Sequence, residues 1–87
     1  MIHLPIKKTF FDKIITGEKK FEYREDKLFF RKMFDAIDVD YIIFHYYRKE
    51  KIKVKVLSIR KVKTPKKCKL IKTEKCYRIK LDHVTQI

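Results

Sequence analysis

The run Tyr41–Tyr47, YIIFHYY, is apolar on both faces of an extended chain. A strand of that kind must be covered on both sides, so it belongs at the centre of a layered sheet or in the wall of a small barrel. The segments around it alternate. Ile2–Ile6 (IHLPI) reads as a first strand, at an edge because Pro5 has no N–H to give a ladder. Lys20–Arg24 reads as a second, with Phe21 and Tyr23 on one face and Lys20, Glu22 and Arg24 on the other. After a turn at RKEK, Ile52–Ile59 (IKVKVLSI) puts Ile52, Val54 and Val56 inward and Lys53 and Lys55 outward. Leu57 and Ile59 then change face, which marks a bulge or sharp bend. A basic loop, VKTPKKCK, surrounds Pro65. Tyr77, Ile79, Leu81 and His83 form the last alternating strand.

Two short helices fit between the early strands. Thr9 with Asp12 three residues later resembles a capping box, and Phe10, Phe11, Ile14 and Ile15 make one apolar stripe. Gly17, the only glycine in the chain, stands where a left-handed residue closes a helix. Asp26 is a candidate cap for a second helix, Lys27 to Phe34, with Phe29 over Met33 and Phe30 over Phe34. The expectation is an α+β fold: a small, curled, mixed or antiparallel barrel with two short helices, residues 1–87 forming one domain.

Charge is distributed unevenly. Residues 1–50 carry 11 Lys/Arg and 9 Asp/Glu, residues 51–87 carry 13 and 2, and the whole chain is +13. A basic second half points to a polyanion: RNA, DNA, an acidic protein or ribonucleoprotein, or an anionic membrane. The plainer reading is that the lysines keep a small domain soluble. Hydrophobic residues make up 45%, which argues against disorder despite 40% charged residues. No run approaches 18 apolar residues and the N-terminus has no signal-peptide core, so a cytoplasmic protein without a membrane partner is expected. Cys68 and Cys76 read as free thiols. Two Cys and three scattered His make no zinc pattern, and no metal or cofactor is expected.

The segment Thr16–Glu25, TGEKKFEYRE, holds the densest candidate chemistry. Arg24 can fork onto a phosphate or carboxylate, and Lys19 and Lys20 supply mobile charges. Glu22 between cations stays ionised and orients them. As catalytic groups, Lys19 is a candidate nucleophile or base where Lys20 and Arg24 depress its pKa, and Glu22 a candidate proton relay. The plain alternative is an exposed strand face with weak cross-strand ion pairs. A basic ladder of Lys51, Lys53, Lys55, Arg60, Lys61, Lys63, Lys66, Lys67, Lys69 and Lys72 supplies candidate phosphate ligands, and Tyr46, Tyr47 and Tyr77 candidate stacking faces. Core or rim packing is the plainer role for those tyrosines. His45 and His83 read as hydrogen-bonded core or rim histidines.

The opening, LPIKKTFFDKIITGEKKFEYRE, resembles that of the ASCH domain, the activating-signal-cointegrator homology family of PUA-like folds. Its G-x-K-x-x-E-x-R motif falls here on Gly17, Lys19, Glu22 and Arg24. VDYIIFHYY, KVKVLSIRKV and CYRIKLDHVTQI occupy the places of its later barrel strands. The resemblance implies a cleft between barrel and helices, lined by the motif residues. It also implies RNA binding or, in one branch, amidohydrolase action on N4-acetylcytidine with a lysine at the place of Lys19, or ribonuclease action. That branch carries a threonine where this chain has Glu22. The readings are therefore an RNA-binding module, an enzyme on modified nucleosides or RNA, or a basic interaction protein that inhibits an acidic partner.

Overall fold

The computed structural model describes residues 2–35, 38–47 and 50–86. Five strands form one mixed sheet. They are β1 (Ile2–Pro5), β2 (Phe21–Glu25), β3 (Tyr41–Tyr46), β4 (Glu50–Lys63) and β5 (Lys75–Gln86), with helices α1 (Lys8–Ile15) and α2 (Leu28–Phe34). The spatial order is β1-β3-β4-β5-β2, with β1 parallel to β3 and every other pair antiparallel. The sheet curls into a half-barrel whose open edges are β1 and β2. Pro5 ends an edge strand, as its missing donor requires.

The two-faced apolar run is a central strand. Ile42, Ile43 and Phe44 of β3 are buried, and β3 lies between β1 and β4. From β4, Ile52, Val54 and Val56 point inward, and from β5, Tyr77, Ile79 and Leu81. The β4–β5 register slips on either side of Val56, which is the bulge expected near Leu57. Beyond it β4 continues to Lys63, longer than the alternation to Ile59 suggested, because β5 supplies a paired partner up to Lys75. On β5 the slip also turns His83 out to solvent and Val84 in against the core, so His83 is not the core or rim histidine expected. Arg48 and Lys49 of the RKEK turn, and Ala36, Ile37 and Ile87, lie outside the described residues.

The helices form where expected, but their caps differ. α1 starts from Lys7 with no side-chain cap. Ile6 still donates to the His45 carbonyl at 2.9 Å, so the helix begins immediately after β1 and takes Thr9 into its first turn. Asp12, instead of completing a capping box, pairs with Lys8 at 3.0 Å. Only Phe11 and Ile14 of the apolar stripe are buried; Ile15 is exposed and Phe10 half-buried. A helix this short, laid on a curved sheet, covers a narrow stripe. Gly17 closes α1 at φ +79°, with its N–H on the Ile14 carbonyl at 3.1 Å.

α2 is likewise not capped by Asp26; Lys27 holds the cap position without a side-chain bond. The Asp26 carboxylate instead takes Arg31 Nε at 2.8 Å and Lys61 Nζ at 3.3 Å, joining α2 to β4. Phe30 stacks on Phe34, which meets the Tyr77 ring edge-on, and Tyr77 donates its hydroxyl to Asp35 at 3.0 Å. Phe29 is exposed and meets the Phe30 ring edge-on. No helix among the described residues is long and apolar enough to cross a membrane.

Two outcomes follow. An added Cβ at Gly17 meets no atom within 4 Å, so the cost of Gly17→Ala is the left-handed backbone alone. Urea unfolding should show a loss of about 1 kcal/mol, with Gly17→Asn milder. The Arg31 bond lowers the Asp26 pKa below its ordinary value. Asp26 therefore stabilises the fold above the unfolded-carboxylate range and loses that contribution as pH falls through its lowered folded value. Wild type should exceed Asp26→Asn in stability at neutral pH, and denaturation at successively lower pH should show the gap close.

Candidate functional site

β2 carries the site and sits on the open edge of the sheet. Glu22 is in register with Ile79 and Arg24 with Tyr77, so these two charged side chains of β2 share the core face. Phe21 and Tyr23 pair with Lys80 and Arg78 and face outward. Alternation is as the sequence implies, but the charged face is the inner one. Glu22 is only 6% exposed. An exposed ladder of weak surface pairs is therefore not what β2 presents.

Burial forces Glu22 to find cations. Its Oε2 accepts from Arg24 Nη2 at 2.8 Å, and its Oε1 lies 3.3 Å from Lys19 Nζ and accepts from the Tyr23 N–H at 3.2 Å. Arg24 Nη2 also donates to the Pro5 carbonyl at 2.9 Å, a bond from β2 to the opposite edge strand. The Lys19 ammonium lies 5.0 Å from the centre of the Phe10 ring and 6.0 Å from that of Tyr23. The trio is thus Lys19–Glu22–Arg24. Lys20 is exposed, with its carbonyl accepting from Leu81 N–H at 2.8 Å. Glu22 engages both oxygens in holding cations.

A cleft of about 720 Å³ opens above the trio, between α1, the turn after it, β2 and the loop 64–74. Phe10 and Tyr23 give it aromatic walls, and Lys13, Lys19, Lys20, Lys67 and Lys69 line it against Glu18 and Glu22. Lys67 Nζ stands 5.6 Å from the Tyr23 ring centre. A smaller hollow of about 260 Å³ lies on the Arg24 side, where β1 and β2 fail to meet. Cys68, a free thiol in the cleft wall, has its pKa raised by burial, which opposes thiolate chemistry.

The remaining candidates do not converge on one face. Lys53 and Lys55 flank the Tyr41 ring at 4.4 and 5.0 Å on the outer side of β3 and β4. Lys61 is tied to Asp26, while Arg60 and Lys63 are exposed on β4 and Lys66 in the loop. Of the three tyrosines, Tyr77 is core, Tyr46 packs half-buried on Phe11, and Tyr47 is exposed at φ 49°. Sequence reasoning missed Lys13, for which no signal exists, and Phe10 and Tyr23 as cleft walls. The signal for Phe10 was its place at the margin of the α1 stripe.

Comparison with protein-family models, curated proteins and solved structures returns no match.

Removing the carboxylate alone leaves two cations facing each other in a mostly buried setting. Glu22→Ala should cost about 3 kcal/mol in denaturant unfolding, well above any surface pair. Glu22→Gln, which keeps an acceptor for Arg24, should cost less.

Proposed function

We propose that this is a nucleic-acid-binding domain of the PUA-like, ASCH kind, and that it takes an unpaired nucleotide of single-stranded RNA in the cleft beside Glu22. One observation carries the reading: the cleft combines aromatic walls, Phe10 and Tyr23, with a lysine lining, on a floor where buried Glu22 holds Lys19. Aromatic faces suit an unstacked base, and lysines suit the phosphate joined to it. The motif residues Lys19, Glu22 and Arg24 meet at one place, as the resemblance implies, and the curled mixed sheet supports the PUA-like assignment. In this reading Glu22 holds Lys19 and Arg24 in position, and Lys19 and Lys67 bind the phosphate. The surplus of cations in residues 51–87 supplies the long-range attraction.

The test is binding of a fluorescent single-stranded RNA and a matched duplex DNA across a salt series. Wild type should prefer RNA. Lys19→Ala/Lys67→Ala, with its fold checked by circular dichroism, should bind more weakly and with a shallower salt slope, by about 0.7 for each phosphate that is no longer neutralised. Equal affinity for both nucleic acids, unchanged in the variant, removes the reading. Turnover of RNA or of N4-acetylcytidine, abolished in Lys19→Ala, replaces it with catalysis. A stoichiometric acidic protein on the purified chain, with no RNA binding at low salt, replaces it with an interaction protein.

A further inference from the structure

The β4–β5 register exposes an arrangement that the fold alone does not account for. Arg60 stands directly opposite Arg78, and Lys63 directly opposite Lys75. Like charges placed opposite one another work against the ladder that carries them. No carboxylate lies within ion-pair distance of Arg60 or Arg78 among the described residues. The same register continues the row outward to β2, where Tyr23 pairs with Arg78 and Phe21 with Lys80. Phe21 and Tyr23 also line the cleft. The outer face of β4, β5 and β2 is thus continuous with the cleft, and its cations converge on the cleft's aromatic edge.

We propose that a single nucleic-acid strand leaving the cleft crosses this outer face, with successive phosphates on Arg78, Arg60 and Lys80. The proposal rests on the cleft reading above, and adds the path and two arginines as phosphate ligands. Spacing supports it. Adjacent strands stand about 4.8 Å apart, and same-face residues along one strand about 6.6 Å, so the three cations form a triangle on the scale of neighbouring phosphates. Arg78 lies over the Phe21 ring at 5.3 Å. A guanidinium stacked in this way keeps its in-plane N–H fork for a phosphate. The repulsion between Arg60 and Arg78, unanswered by any carboxylate among the described residues, is relieved when each takes a phosphate.

Fluorescence anisotropy with a uridine trimer and a uridine dodecamer separates path from cleft. Arg60→Gln/Arg78→Gln should bind the trimer like wild type and the dodecamer at least about tenfold more weakly. Its dodecamer salt slope should be shallower by about 1.4, for two single-strand phosphates left unneutralised. Its melting temperature without RNA should hold or rise by a few degrees, since a like-charge pair is removed. Arg60 is exposed, so Arg60→Gln alone keeps the measurement decisive where the double variant fails to fold, with a slope change of about 0.7 expected. Wild-type dodecamer affinity and slope in the variants overturn the path and leave the cleft reading standing. Unchanged binding of both oligomers by Lys19→Ala removes the cleft reading and the continuation with it. Duplex DNA bound as tightly as the dodecamer identifies an unselective cationic surface and overturns the proposal.

Discussion

The Glu22 carboxylate, held between Lys19 and Arg24, joins three parts of the chain that the sheet does not join. A half-barrel of order β1-β3-β4-β5-β2 has two edges, and no backbone ladder closes the gap between β1 and β2. Arg24 crosses that gap by donating to Pro5 through the same nitrogen that meets Glu22. Its direction is therefore set by a neighbour two residues away on its own strand face. The other carboxylate oxygen draws in Lys19, whose ammonium lies near the Phe10 ring, and so ties the turn after α1 to β2. Pro5 completes the arrangement: a residue suited to an edge leaves its carbonyl available to a side chain from the opposite edge.

Stability alone is a weak reason for this trio. Charges taken out of water carry a desolvation cost that their attraction roughly offsets, and a well-packed apolar set often does as well. Among the described residues no hydrogen-bond partner meets the buried Arg24 Nε, a donor worth about 1–3 kcal/mol of forfeited solvation. The fold's favourable energy lies elsewhere, in Phe11, Phe44, Ile52, Tyr77 and Ile79 packed beneath the curl. What the trio supplies is geometry. It fixes one ammonium at the floor of an open cleft and one guanidinium at its seam, which an apolar core cannot do.

Much of the fold was legible because it depends on local rules. Pro5 marked an edge, Gly17 a left-handed helix stop, YIIFHYY a central strand, and the change of face after Val56 a bulge. The site was legible as a group of residues but not as a geometry. Alternation along β2 separates Glu22 and Arg24 from Phe21 and Tyr23, yet it carries no sign saying which set faces the core. The usual rule of apolar inward fails here because β2 is an edge strand whose outer face forms part of the cleft wall. The caps failed for a related reason. Asp12 and Asp26 had cations within reach, and in this structure each carboxylate is taken up by an ion pair instead of a cap. Tyr77 and Tyr47 are indistinguishable by composition; strand register makes one core and leaves the other exposed.

The charge asymmetry between the two halves of the chain acquires a structural meaning from strand order. The cation-rich segment is β4, the loop 64–74 and β5, and strand order brings β5 beside β2, where most of the paired carboxylates of the first half lie. Asp26 neutralises Lys61, but Arg60 and Arg78 face away from it on the outer side. Acidic residues at either of those two positions would have given a favourable cross-strand pair at no cost to the fold. A surface needed only for solubility gains nothing from setting two arginines opposite each other, since net charge serves that purpose wherever it is placed. Register-matched cations beside an aromatic-walled cleft are instead what the proposed phosphate path would use.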